Sequence, residues 1–147
     1  MTDEAPKWLS MTQQEMAEFA HYEGGGWSHE PPAAALLLWR FEWACGRDLL
    51  KAMSGGTVKS WQEWWTYEVE PPAVRGDGYL VEMEKAWLAD PLKPGLGPIL
   101  VVRYADGTLD IGDGWHRAAI SVLHDMARVP IIVADVPETL RRAVADR

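Results

Sequence analysis

Cysteine is almost missing from this sequence. One residue, Cys45, stands in 147, so no internal disulfide can form and no cysteine pair can hold zinc. It follows the apolar run Ala33 to Ala44 and reads as a packed thiol. Basic charge is also scarce: 14 Lys and Arg face 22 Asp and Glu, a formal net charge of -8. No extended Lys/Arg run exists. A protein that grips nucleic acid by its phosphates needs a basic face, so that function is disfavoured. Long apolar runs are missing too. The longest, Pro31 to Trp39, is far too short to span a bilayer. Residues Met1 to Lys7 are polar and acidic, without the apolar centre of a leader. These absences predict a cytoplasmic protein in a reducing compartment, with no membrane partner.

What is present is a normal globular composition, 48% hydrophobic with 10 prolines and 13 glycines. It is unevenly spread. Residues 1–97 hold 15 acidic and 8 basic side chains, whereas residues 98–147 hold 7 and 6. Eight of the nine tryptophans precede Gly97. The chain therefore divides into a Trp-rich, acidic extension (1–90) and a second unit (91–147), packed together as one domain.

The extension reads as helical. Thr12 with Glu15 forms a capping-box pattern, so a helix is expected from Gln13 to about Glu23, ended by Gly24-Gly25-Gly26. Pro31-Pro32 is expected to open a second helix running to about Ser54, with Leu36, Trp39, Trp43, Leu50 and Met53 near one stripe. Ser60 with Glu63 repeats the capping pattern before Trp61, Trp64 and Trp65, and Pro71-Pro72 closes that region. A further helix is expected over Tyr79 to Ala89. The three clustered tryptophans read as core. The other reading is a surface through which an acidic interaction module, an inhibitor or adaptor without catalysis, grips a protein partner. His21 and His29 have no third ligand in register, so no metal site is expected there. Glu82, Glu84 and Lys85 read as a solvated helix face, and His124 as structural.

The second unit changes rhythm. Ile99 to Tyr104 is a β-branched apolar run, Ala105-Asp106-Gly107 a hairpin turn, and Thr108 to Ile111 the returning strand. Gly112-Asp113-Gly114 then turns into a helix from Trp115 to about Ala127. Pro130 to Ala134 reads as another buried strand, and Pro137 as the start of a last helix. The expected class is α/β (α+β) with a small mixed sheet.

The turn at 112–117 carries the chemistry. Gly112 and Gly114 let the backbone bend and approach a ligand closely. The N–H groups that open the next helix, at Trp115 and beyond, form a natural anion site. His116 and Arg117 place cations where the helix dipole disfavours them, which calls for a bound anion. Arg117 offers a donor fork to phosphate. His116 donates a hydrogen bond or shuttles a proton. Asp113 binds Mg²⁺ or orients His116.

The stretch Pro98 to Arg117, with Ala118-Ala119 and Val129 to Val133, resembles the ParB/sulfiredoxin superfamily over residues 94–135. The resemblance implies an anion or nucleotide-phosphate site on Gly114, His116 and Arg117; together with the turn's own chemistry, the expected phosphate-binding residues are Gly112, Gly114, Trp115 and Arg117, and the expected catalytic residues Asp113 and His116. Sulfiredoxins place a reactive cysteine where this chain has Trp115, which excludes that activity. Partition proteins carry Gly-Glu-Arg-Arg and bind CTP, and their following DNA-binding module is missing here. The free-serine kinases of the superfamily carry Asp-Gly-His-His-Arg, and Asp113, Gly114, His116 and Arg117 match that version. The implied ligands are ATP, ADP or CTP with Mg²⁺, or a phosphorylated small molecule, and the implied activity is phosphoryl transfer or nucleotide hydrolysis.

Overall fold

A computed structural model describes residues 7–29, 31–53, 56–69, 79–93 and 95–140. Helix α1 covers Gln13–Glu23, and its start is the expected capping box. The Glu15 amide donates to Thr12 Oγ1 at 3.1 Å, and the Thr12 amide donates to Glu15 Oε1 at 2.9 Å. Two of the free amides at the helix start are thereby satisfied.

The expected second helix does not form. A single turn covers Ala34–Leu36, strand β1 follows at Trp39–Ala44, and a 3-10 segment covers Gly46–Ala52. The reason lies in Trp39-Arg40-Phe41-Glu42-Trp43, where aromatic and charged residues alternate. That period of two suits a strand, and aromatic residues favour the pleated surface. The helical stripe counted over the same residues was coincidental. Gly46 then packs so tightly that a Cβ would lie 2.0 Å from the Ser121 carbonyl oxygen.

Helix α2 spans Val58–Val69 and starts two residues before Ser60. Its cap is Thr57, whose Oγ1 accepts the Ser60 amide at 3.1 Å. Pro71-Pro72 lies outside the described residues. Helix α3 covers Tyr79–Ala89 as expected. Strand β2 (Ile99–Tyr104), strand β3 (Leu109–Asp113), helix α4 (Trp115–Leu123) and strand β4 (Val129–Val136) follow. Strand β3 runs two residues further than the pattern predicted, so Gly114 alone makes the turn. Helix α4 ends four residues sooner. A helical turn begins after Pro137, and the rest of that expected helix lies outside the described residues.

The four strands form one mixed sheet in the order β1-β4-β2-β3. Strands β2 and β4 are parallel, and the two outer pairings are antiparallel. The fold is thus a mixed α+β arrangement. The sheet does not respect the boundary at residue 90, because β1 from the Trp-rich part pairs along β4.

Both sheet faces are buried, which makes three layers. On one face Ile99, Val101, Ile111, Val129, Ile131 and Val133 meet α2, α3 and α4 through Trp61, Trp65, Leu80, Trp87 and Ile120. On the other, Leu100, Val102, Ile132, Ala134 and Val136 meet Trp8, Met16, Ala20 and Leu37. Trp87 is fully buried and its indole N–H donates to Ser121 Oγ at 2.9 Å, so its polar tip is satisfied. Among the described residues no helix is long and apolar enough to cross a membrane.

Candidate functional site

The register between β2 and β3 shifts by one residue, since Leu100 faces Asp113 while Val101 faces Ile111. Gly112 is the extra residue, a bulge that bends the strand end away from the sheet. Its carbonyl accepts the amides of Gly25 and Gly26 at 3.0 and 2.8 Å. No side chain fits at Gly112, because a Cβ would lie 2.3 Å from the ring of Trp27. The Gly24–His29 loop is therefore stapled along the outer edge of β3, a strand that would otherwise present unpaired backbone.

Asp110 is the second staple. Its side chain is almost wholly buried, at 2% residue exposure. The Ser28 amide lies 3.0 Å from both carboxylate oxygens, the His29 amide donates to Oδ2 at 3.1 Å, and the Ile111 amide donates to Oδ1 at 2.9 Å. Three backbone donors thus hold one buried carboxylate, as charge burial requires.

Gly114 adopts φ 98°, a left-handed conformation that glycine takes without penalty, and caps α4. A cleft of about 1060 Å³ opens at this point. Asp113, Gly114, Trp115, His116 and Arg117 all line it, with Gly25 and Gly26 on one wall and Tyr79, Glu82 and Met83 of α3 on the other. Every residue of the predicted turn is therefore brought to one place.

Their contacts within the protein are specific to each. Arg117 is not a surface fork; the residue is only 7% exposed. Its Nη1 donates to the carbonyls of Leu96, Gly97 and Pro98, the second at 2.6 Å, and its Nη2 donates to Asp113 Oδ2 at 3.3 Å. The guanidinium also sits 5.7 Å from the Trp87 ring centroid. Burial pulls its pKa down from the usual arginine value, and Asp113 partly offsets that. Arg117 thus bolts the loop before β2 to the start of α4, and the floor of the cleft is built on it. Asp113 is tied to that bolt. Among the described residues no three His, Cys, Asp or Glu side chains gather as a metal site.

His116 turns toward α2. Its Nε2 lies 3.0 Å from Glu68 Oε1, and its ring stacks on Trp64 with centroids 5.3 Å apart and planes 19° apart. Glu68 was invisible as a partner in the sequence, 48 positions away; only a helical phase for α2 would have suggested it. Trp115 folds over the turn. Its indole N–H donates to the Gly26 carbonyl at 2.8 Å, and its ring packs against Trp61 and Trp64 with centroids 5.9 and 6.3 Å apart. Trp61 and Trp65 are buried, with Trp61 wholly so and its N–H donating to the Leu50 carbonyl at 3.0 Å. These two belong to the core, as their first reading had it, and offer no surface to a partner. Trp64 is half-buried.

No protein-family model, no curated protein and no solved structure matches the chain. The functional reading therefore rests on the cleft. Its walls mix polarity: a helix start and a buried guanidinium favour negative charge, while Glu23, Glu82 and Asp113 oppose it.

Proposed function

We propose that the cleft binds a nucleotide or similar small phosphate ester together with Mg²⁺, in the manner of the ParB/sulfiredoxin-like proteins, and transfers or hydrolyses a phosphoryl group. One observation carries this reading: the first turn of α4, whose leading amides have no acceptor within the helix, lines a cleft also lined by carboxylates. The cleft, at about 1060 Å³, lies just above the range for small-molecule sites, roughly 300–1,000 Å³. Mg²⁺ in phosphate sites is held by one or two carboxylates and the ligand itself rather than by a full protein cage. Asp113, at the turn itself, is the residue that would hold it, with the ligand's own phosphate oxygens completing the shell. Bound there, the ion would neutralise charge on the phosphate oxygens.

The remaining work belongs to the chain. The amides of Trp115 and His116 would orient the phosphate. Arg117 keeps the turn in shape through the carbonyls of Leu96, Gly97 and Pro98. Glu68, 3.0 Å from His116 Nε2, would orient the imidazole as the proton carrier of the site. Candidate ligands are ATP, ADP, CTP and GTP.

Calorimetric titration with each, with and without Mg²⁺, tests the proposal. Gly25→Phe is the control, since a Cβ at Gly25 meets nothing within 4 Å and the ring would fill the cleft without straining the fold. Saturable binding that needs Mg²⁺ and disappears in Gly25→Phe is expected. No binding of any of the four in the parent protein would overturn it.

A further inference from the structure

A second cavity of about 410 Å³ adjoins the cleft, with Trp115 and Gly26 lining both. Trp27, Trp64 and Trp115 wall it, with Met53 and Ser28 beside them, and no charged side chain lines it. Each indole is held from behind. Trp27 packs on the bulge at Gly112. Trp64 stacks on His116. Trp115 packs on Trp61 while its N–H is engaged by the Gly26 carbonyl. The Trp64 and Trp115 planes meet at 62°, so they form two walls of a corner rather than a flat stack. Such walls are set before any ligand arrives, which lowers the ordering cost of binding.

The chemistry of these walls selects the occupant. The Ser28 amide is already engaged by Asp110, and the Trp115 N–H by Gly26, so these donors are closed to a ligand. An indole face attracts a cation through its quadrupole, and tryptophan does so best. The chain as a whole carries -8, and part of that charge stands in the neighbouring cleft as Glu23 and Glu82. A strongly hydrated ammonium would lose more water against three indole faces than the Ser28 hydroxyl at the rim can replace. A methylated ammonium has little to lose.

We propose that this Trp27–Trp64–Trp115 pocket is a binding site for a quaternary ammonium group, of the trimethylammonium class. The site is separate from the phosphate cleft and does not depend on that reading. It shares only Trp115 and Gly26 with the cleft.

The test uses the full chain, choline as probe, and 3,3-dimethylbutan-1-ol, in which carbon replaces nitrogen, as its neutral counterpart. Calorimetry and tryptophan fluorescence should show saturable choline binding, with the neutral alcohol weaker by about tenfold. Ser28 is exposed at the pocket rim, so its charge variants leave the core untouched. Ser28→Glu should tighten choline and Ser28→Lys loosen it, each by about threefold, without moving the alcohol. Equal affinity for choline and the alcohol would overturn the proposal in favour of a merely apolar pocket. So would the lack of any saturable response to choline, or Ser28 variants that leave choline binding unchanged in folded protein.

Discussion

Arg117→Ala should unfold this protein more readily than any change to a surface arginine. The side chain is 9% exposed, so solvent screens its interactions poorly. Removing it leaves the Leu96, Gly97 and Pro98 carbonyls without their donor and the Asp113 carboxylate without its cation. Breaking a fully buried charged pair costs about 3–5 kcal/mol, but Asp113 is 38% exposed, so this pair contributes the smaller part of the loss. Each buried carbonyl left unsatisfied would cost about 1–3 kcal/mol, but water entering the cleft will recover part of that. A loss of about 4 kcal/mol is therefore expected, or roughly 8–16 °C in Tm for a chain of this size. Arg117→Lys keeps the charge but loses the planar fork, and should fall between the two. Urea unfolding followed by tryptophan fluorescence measures the loss. A double-mutant cycle with Asp113→Asn measures the coupling between the pair, which should be at least about 0.5 kcal/mol. An Arg117→Ala protein melting within about 2 °C of the parent would refute the reasoning, since that is the range of a surface substitution.

Two further outcomes follow from other buried or paired charges. Asp110→Asn keeps the volume but loses the charge that three amides address, and should cost about 1.5–3 kcal/mol. Hydrogen exchange at the Ser28 and His29 amides should speed up while the β4 amides stay protected; uniform acceleration would instead mean global destabilisation. Burial alone would raise the pKa of Asp135, but hydrogen bonds from Arg103 and Arg40 outweigh it and hold the carboxyl below the usual aspartate range. Its contribution is thus present above the unfolded pKa of about 3.9 and is lost as pH falls through the lower folded value. The side chain is 56% exposed, so the contribution is under about 1 kcal/mol after screening. Asp135→Asn should lower Tm slightly at pH 7 and not at about pH 2, by differential scanning fluorimetry, with the difference shrinking in high salt.

Local features were legible in the sequence and distant ones were not. The Thr12–Glu15 box, the Asp106-Gly107 turn and the β-branched strands are written in neighbouring residues, and each forms where expected. Strand β1 was misread because Leu36 and Trp39 also satisfy a helical stripe, and only the alternation from Trp39 to Trp43 distinguishes the two. The turn at 112–117 was found, yet its arginine was assigned to a ligand. Its actual acceptors are main-chain carbonyls some twenty positions earlier, and a carbonyl has no letter in a sequence. Asp110 was passed over for the same reason, since its donors are amides of a loop over eighty residues away. Glu68 is a side chain and could in principle be read. Nothing local, however, ties α2 to the start of α4.

The placement of β1 has a consequence for how the chain acquires its shape during synthesis. Trp39 pairs with Ala134 and Ala44 with Val129, so the two strands lie 85 to 95 residues apart. The β2–β3 hairpin and α4 need only near neighbours and can form on a timescale of microseconds. Strand β1 leaves the ribosome long before its partner exists. At about 5–20 residues per second the wait is roughly 4–20 s, during which Trp39, Phe41 and Trp43 have no strand to pair with. Strand β1 can thus reach its native pairing only after β4 is made. Folding should be gated from the C-terminal end, with β1 zipping onto β4 as the closing step and α1 sealing the second face behind it.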